Sequence, residues 1–481
     1  MIIEFGKPAV KILDNTFISE QHYYNKVLHA QMHELVKFFF NMDRERVAER
    51  FCHLNPSVDK EKLLLWLKYK PKYMQWSGTD LFNVTTEKGV KRMVVLETNS
   101  SPSGQKSMPL LNENEDMGGY KRLIEQSFLP FVRSRRTIPG AFAVVYDKNE
   151  MEASGYAITL ANLVNEDVYL VPFFNNDPNP SVRFKNEIMQ VRDELEEWHD
   201  IKAAYRYVTQ KPWNRIPVKT KTLIYNPIIA CLAGGRNKRM ASKAYELFNS
   251  ELKDANLKIR RPETINDVKF NEIPLWVDRF NGHAVIKNPY SNAGQGVYTI
   301  TSERELKKFM DEEHDYDDFI VQMLIGNYHW STNSTEGKYY HVGMVPNKKN
   351  NIYVADLRFM IASTEDGFLP VAMYARRAEK PLTQNLMSSE DSWEMLGTNL
   401  SIKTTEGWDS ETRRLKLMDT KDFNQLGLSL DSLVEGYIQS VLSTIAIDRM
   451  ADQLIGTKKT MKRKLFSAMN GDPILLEEIM K

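Results

Sequence analysis

Two short segments carry residues whose types and spacing could do chemistry. The first runs Val285-Ile-Lys-Asn-Pro-Tyr-Ser-Asn-Ala-Gly-Gln-Gly-Val-Tyr-Thr-Ile300. Gly294 and Gly296 lack a Cβ, so backbone N–H groups there can approach a phosphate closely. Lys287 could set an ammonium against the same oxygens. The segment is not a Walker loop, because GxxxxGK[ST] is absent. Nor is it a dinucleotide fingerprint, because β-branched and aromatic residues follow the glycines where a helix should begin. Two readings stay open: a strand–loop–strand that closes over phosphates, or an ordinary hairpin turn.

The second segment is Gly78-Thr-Asp-Leu-Phe82 followed by Arg92-Met-Val-Val-Leu-Glu-Thr-Asn-Ser-Ser-Pro-Ser-Gly104. Glu97 and Asn99 stand two apart on a strand and share a face. Asp80, on the preceding strand, could meet them across a hairpin. Two carboxylates and an amide oxygen make the all-oxygen set that Mg²⁺ prefers, with substrate phosphates completing the shell. The alternative is a solvated polar strand end.

Other constellations are weaker. His29 and His33 read HxxxHE rather than HExxH, which argues against a zinc protease. Cys52 and His53 lack further ligands. Lys458, Lys459, Lys462, Arg463 and Lys464 form a basic run that reads as one solvated helix face, with an acidic substrate as the other option. No Ser/His/Asp or Cys/His arrangement stands out.

The elements that must position these residues follow from periodicity. Apolar spacing predicts helices through about 17–70, strands at Thr79–Val84 and Arg92–Leu96, and a polar loop at Asn99–Ser107. Between 140 and 235 the pattern predicts strands at Ala141–Tyr146, Asp167–Val171 and Thr222–Tyr225. Helices are expected at Glu150–Leu163 and Phe184–His199, giving a small open parallel sheet. A helix is expected at Lys238–Asp254. Strands follow at Ala284–Lys287, Gly296–Ile300, Phe319–Leu324, Tyr353–Ile361 and Leu369–Arg376, then a long helix at Leu430–Leu454. The fold class is therefore α/β (α+β).

Composition narrows the function classes. The 481 residues are 42% apolar and 26% charged, ordinary for a globular chain of about three lobes. Lys plus Arg number 64 against 63 Asp plus Glu, a net charge of +1 that gives no global drive toward nucleic acid. Two cysteines, Cys52 and Cys231, exclude a disulfide-stapled fold and fit a reducing compartment. No stretch suits a signal peptide or a membrane span. A cytoplasmic protein without nucleic-acid or membrane partners is the expectation.

Together the two segments resemble motifs of the ATP-grasp superfamily of carboxylate–amine ligases. "Lys287…Gly294-Gln-Gly296" resembles its phosphate-covering loop and "Phe319-Ile-Val-Gln-Met-Leu-Ile-Gly326" its adenine hinge, with Met323 where the family often has Glu. "Asp356-Leu-Arg358", "Ala375-Arg-Arg-Ala378" and "Thr398-Asn-Leu-Ser401" are similar to a run in the ribosomal-protein glutamate-ligase-like and tubulin tyrosine-ligase-like branches. The Gly78–Gly104 segment resembles the family's magnesium motif. That motif comes last in most members and early here, which resembles the circularly permuted enzymes that include eukaryotic glutathione synthetase.

The resemblance implies a permuted ATP-grasp fold with an added β-α-β substrate domain and an N-terminal helical region. The implied divisions are 1–76 (helical), 77–135 (magnesium motif and substrate loop), 136–235 (β-α-β), 236–325 (small lobe with the glycine loop) and 326–481 (large lobe and C-terminal helices). It implies ATP and one or two Mg²⁺, with Mn²⁺ as an alternative, held by Asp80, Glu97 and Asn99. Lys287 and Lys238 would contact phosphates, although Lys238 also reads as a solvated lysine opening a helix. Gln322 and the backbone around Leu324 would read the adenine edge, and Asn399 would lie near metal and phosphates. Arg358 and one of the Arg376/Arg377 pair, taken as Arg377, would stabilise the transferred phosphoryl group, with Asp356 orienting Arg358. Ser101, Ser103 and Lys106 would line the acceptor pocket. The implied reaction joins a small-molecule or peptide carboxylate to an amine through an acyl-phosphate. A phosphotransferase or a non-catalytic nucleotide binder are the alternatives, and a homodimer stays open.

Overall fold

The computed structural model describes residues 5–112, 115–290, 296–335, 337–386, 391–404 and 407–480. The chain is mixed α/β, with four sheets among the described residues. The central sheet is built on the long strand Trp76–Thr86. One edge of that strand pairs antiparallel with Lys91–Ser100. The other pairs first with Ala355–Thr364 and then, beyond it, with Tyr339–His341. Gly367–Arg377 adds to the outer side of Ala355–Thr364. Val, Met, Phe and Tyr dominate these strands, as a half-buried pleated surface requires.

Two one-residue register shifts interrupt this sheet. Leu81 pairs with Val95 whereas Asp80 pairs with Glu97, so Leu96 is a bulge. Ile361 pairs with Pro370 whereas Met360 pairs with Ala372, so Val371 is a second. Each extra residue inverts the in/out parity of everything beyond it.

The helix Leu430–Leu454 lies across the sheet and is buried along most of its length. Its small polar residues bond to the strands: Thr98 Oγ1 donates to Ser443 Oγ at 2.9 Å, and Ser77 and Thr444 hydroxyls meet at 2.6 Å. Asp448 on this helix accepts from the backbone N–H groups of Lys72, Tyr73 and Met74 and from the Tyr69 hydroxyl, at 2.7–3.2 Å. That clamp ties down the segment leading into the Trp76–Thr86 strand. The N-terminal helices Glu34–Phe40, Arg44–Leu54 and Lys60–Leu67 cover the same helix, two of them capped by Asp43 and Asp59.

A seven-stranded sheet forms the second layer, with a parallel centre of Val168–Pro172, Ala141–Tyr146, Trp198–Tyr207 and Leu223–Tyr225. The helix Glu150–Leu163 makes the crossover. The helix expected at Phe184–His199 is replaced by antiparallel strands, Val182–Lys185 and Ile188–Arg192, that lead into Trp198–Tyr207. Val-Arg-Phe-Lys and Ile-Met-Gln-Val-Arg alternate with period two, and Asn186 and Glu187 both take positive φ, as a two-residue hairpin turn needs. The charges there had imitated an exposed helix face.

The third sheet, Thr264–Lys269, Asp318–Met323, Ala284–Lys287 and Val297–Ile300, is antiparallel and has its own apolar core. Among the described residues no helix is long and apolar enough to cross a membrane.

Removing the Asp448 clamp strands three backbone donors, of which the Met74 N–H is buried. Asp448→Ala is expected to lower unfolding free energy in denaturant titrations by about 2–4 kcal/mol. Asp448→Asn, which keeps one acceptor oxygen, should recover part of it.

Candidate active site

The third sheet faces the central sheet across a cleft of about 850 Å³, measured with its open mouth. That is the size range of small-molecule sites. A second recess of about 560 Å³ shares Glu97, Lys238, Lys287 and Gln322 with it.

The Leu96 bulge decides what faces this cleft. Without it Asp80 would oppose Leu96 and Glu97 would turn to the other face. With it the two carboxylates stand opposite each other. Glu97 keeps its side chain 32% exposed to the cleft, and Lys238 Nζ approaches Glu97 Oε2 at 3.7 Å. Burial pushes the Glu97 carboxyl up, but the Lys238 ammonium and the Asn99 amide bring it below its ordinary value overall. Asn99 Nδ2 donates to Glu97 Oε1 at 2.9 Å, while Asn99 Oδ1 accepts from Arg236 Nη1 at 3.0 Å.

Asp80 differs from the expected metal ligand. Both of its oxygens accept from Arg358, at 2.6 Å each, and Arg376 lies 2.9 Å from Oδ2. Burial alone would push Asp80 up, but the two guanidiniums hold it well below the usual carboxylate range. Arg376 also binds Asp356 through two nitrogens. Two aspartates and two arginines thus form a buried, charge-balanced quartet. Asp356 therefore orients Arg376, not Arg358 as expected, because the register sets Asp356 directly opposite Arg376.

The same register corrects Arg377. Arg376 is buried and lines the cleft. Arg377 points the other way, 4.5 Å over the Tyr353 ring, and donates to Ala378 O at 3.1 Å.

Lys287 and Lys238 both line the cleft with Glu97. Burial pushes the Lys287 ammonium down to about 8 and also lowers Lys238. Lys238 opens the helix Lys238–Leu252, which Asn237 caps through Met240 N. Gly294 lies outside the described residues. Gly296 has φ +63°, and a Cβ there would meet Asn288 Nδ2 at 2.4 Å, so glycine is required at that end of the loop.

Gln322, Leu324 and Asn399 line the cleft beside Phe82, Val285, His341 and Trp393. Gln322 donates to Thr264 Oγ1 at 2.7 Å. The Leu324 backbone is not the open hydrogen-bonding edge that was expected. Its N–H donates to Thr332 Oγ1 at 2.9 Å and its C=O accepts from Thr332 N–H at 3.1 Å. Leu324 therefore offers the cleft an apolar side chain.

The loop after Asn99 sits against the seven-stranded sheet. Ser101 takes φ +50° and its Oγ is buried without a partner. Ser103 Oγ and the Tyr207 hydroxyl meet at 2.5 Å. Lys106 Nζ turns to Asn149 Oδ1 at 3.3 Å and lies over the Tyr24 ring. The Tyr374 hydroxyl links Ser103 O, at 3.2 Å, to Arg358 Nη1, at 3.3 Å, joining this loop to the quartet.

Sequence reasoning missed Arg236. It is buried and donates to Ser100 O and Ser101 O at 2.9 and 3.1 Å as well as to Asn99. The available signal was the Gly-Gly before it: a Cβ on Gly235 would lie 2.7 Å from Ser100 Cβ, so only glycine lets the two segments touch.

For Mg²⁺, the residues fit one ion rather than the expected three-ligand set. Asp80 is already engaged by arginines and Asn99 Oδ1 by Arg236, whereas Glu97 supplies hard oxygens at the cleft surface. Lysines facing that carboxylate across the cleft suit a polyanion that brings its own metal.

No protein-family model and no curated protein sequence matches the chain. Solved structures resemble it distantly. A gamma-glutamylcysteine synthetase candidate from Methylobacillus flagellatus KT shares 12% identity over 88% of this chain and 99% of its own, with a TM-score of 0.46. A glutathione synthetase-like effector from Globodera pallida shares 10% over 72% of this chain and 86% of its own, with a TM-score of 0.38. A D-alanyl-alanine synthetase A from Vibrio cholerae shares 10% over 63% of this chain and 98% of its own, with a TM-score of 0.31. With so little in common, the functional reading rests on the cleft residues.

Lys287 would bind a phosphate through its ammonium. Below pH 8 it is present in the free protein. Above pH 8 the neutral amine must take up a proton to bind. Affinity for a fluorescent ATP analogue is expected to fall above about pH 8, by up to tenfold per pH unit. Lys287→Arg should flatten the profile, whereas a flat wild-type profile would detach Lys287 from the phosphates.

Proposed function

We propose that the protein is an ATP-grasp ligase that joins a carboxylate to an amine through an acyl-phosphate, with ATP and Mg²⁺. The observation that carries this reading is one cleft holding three things together. Glu97, oriented by the Asn99 amide, offers metal oxygens, Lys238 and Lys287 face it, and Phe82, Val285, Leu324 and Trp393 wall an apolar slot. Separately each is common. Together they match a nucleoside triphosphate: base in the slot, phosphates on the lysines, metal on the oxygens. The hairpin bearing Glu97 precedes the glycine loop in the chain, which is the permuted order.

The chemistry follows from charge. A carboxylate oxygen of the substrate attacks the γ-phosphorus, the bond to the β-phosphate bridging oxygen breaks, and ADP leaves. An amine nitrogen then attacks the acyl carbon, the C–O bond to phosphate breaks, phosphate leaves and the nitrogen loses a proton. The first step brings an anion up to a polyanion, so cations must offset the repulsion. Mg²⁺ on Glu97 would neutralise phosphate charge. Lys238 and Lys287 bind phosphate oxygens. Arg376, fixed on two sides by Asp80 and Asp356, presents a guanidinium that cannot swing away. The acyl-phosphate must be kept from water, which would hydrolyse it. The loop Ser101–Lys106, tied to Arg358 through Tyr374, is the reading's candidate wall for the carboxylate and amine.

The test is ADP and phosphate release from Mg²⁺-ATP with a pooled set of acids, amino acids, polyamines and short peptides, read beside mass spectrometry. The expected product has the mass of two components minus water. A component that gains only phosphate would replace the ligase by a phosphotransferase. Glu97→Gln is expected to slow ADP release on the order of 100-fold or more, as loss of one preorganised charge-stabilising group does. Arg377→Ala should leave it near wild type.

A further inference from the structure

A recess of about 460 Å³, measured with its open mouth, lies apart from the cleft and shares none of its lining residues. Phe39 and Phe40 come from the helix Glu34–Phe40, and Arg44 opens the next helix. Leu369 and Pro370 come from the strand Gly367–Arg377, and Arg122 from the helix Gly118–Leu123. The lining is mostly apolar, with these two arginines and one acid, Asp43.

Neither arginine has an ion pair among the described residues. Arg44 Nε donates to Phe368 O at 3.2 Å and its Nη2 to Thr364 Oγ1 at 3.3 Å. Arg122 makes one hydrogen bond, from Nη2 to Phe40 O at 3.2 Å. Its guanidinium lies 5.4 Å from the centre of the Phe40 ring, and its Nε is buried without a partner. A guanidinium carries five N–H donors, so most of that capacity is unused. Burial, with no carboxylate to offset it, pushes Arg122 down to about 10. The acids nearby are committed elsewhere. Asp43 accepts from Arg46 N at 2.7 Å and lies 3.5 Å from Arg46 Nε. Glu45 pairs with Lys68 at 3.0 Å. On its other side Arg122 borders a second recess, where Glu115 pairs with Lys121 at 3.5 Å and Glu125 is exposed. A desolvated cation without a counter-ion is costly, and an anion entering the recess would offset that cost.

We propose that this recess binds a small organic monoanion with an apolar body, an aliphatic or aryl carboxylate. The carboxylate accepts from Arg122, with Arg44 as a second cation in the lining, and the body lies against Phe39, Phe40, Leu369 and Pro370. The arginines choose the head group and the apolar walls choose the body. Inorganic phosphate would meet the arginines but leave those walls in water. The site does not depend on the ligase reading. Leu369 and Pro370 immediately precede the Val371 bulge, so an occupant would border the strand that carries Arg376 into the cleft.

The test titrates octanoate, 1-octanol, butyrate and inorganic phosphate into the full-length protein by calorimetry, with backbone hydrogen exchange read beside it. Octanoate is expected to bind at one site. It should bind at least about tenfold more tightly than octanol, which lacks the charge, and than butyrate, which lacks the body. Exchange should slow in residues 39–47 and in the helix Gly118–Leu123. Arg122→Met should remove the advantage over octanol, and Arg122→Lys should keep part of it. The exchange pattern of wild type locates the site even where a variant does not fold. Octanoate that binds no better than octanol or butyrate, tighter binding of phosphate, protection confined to other segments, or wild-type octanoate affinity in a folded Arg122→Met protein would overturn the site.

Discussion

The site depends on one buried carboxylate. Asp80 sits between Arg358 and Arg376, and Asp356 closes the set from the other side. Two guanidiniums could not be held beside the cleft lysines Lys238 and Lys287 without compensation, because the repulsion of desolvated like charges is large. The aspartates cancel that charge and fix both arginines in one geometry. The quartet spans three adjacent strands, Trp76–Thr86, Ala355–Thr364 and Gly367–Arg377, so it is also a cross-strand rivet of the central sheet. Deleting one member leaves an uncompensated buried charge, at a cost of about 3–5 kcal/mol. Site and sheet therefore fail together.

The chain reaches this arrangement through two single-residue insertions. The Leu96 bulge brings Glu97 opposite Asp80, and the Val371 bulge brings Arg376 opposite Asp356. Each is a parity change, after which every side chain presents its other face. The polar cleft face and the apolar face under the helix Leu430–Leu454 can then coexist on strands that would otherwise mix them. The Asp448 clamp fixes the start of the first strand against that helix, so the register is anchored from both ends.

This explains what could and could not be read from residues alone. Strands with strong β-formers were legible, and so was Leu430–Leu454, whose long apolar repeat leaves no doubt of helix. Phe184–His199 was not, because surface charge at two- and four-residue spacings imitates both periods until Asn186 and Glu187 are seen as a turn. Glu97 and Asn99 share a face as their spacing implied, and Lys238 and Lys287 join them as the family resemblance implied. Which of Arg376 and Arg377 faces the cleft was not legible, because neighbouring strand residues point oppositely and the Val371 bulge sets the parity. Asp80 was given to a metal because its arginine partners are 278 and nearly 300 residues away in the chain. Arg236 carries no local motif. Its contacts arise only when the loop after Asn99 folds against the seven-stranded sheet.

The central claim is that a carboxylate oxygen of the substrate ends in the released phosphate. The most direct measurement is turnover of Mg²⁺-ATP with acids labelled with oxygen-18 in the carboxyl group, followed by mass spectrometry of the phosphate. An acyl-phosphate path predicts ADP and one heavy oxygen in each phosphate released. Unlabelled phosphate, or AMP in place of ADP, would contradict it.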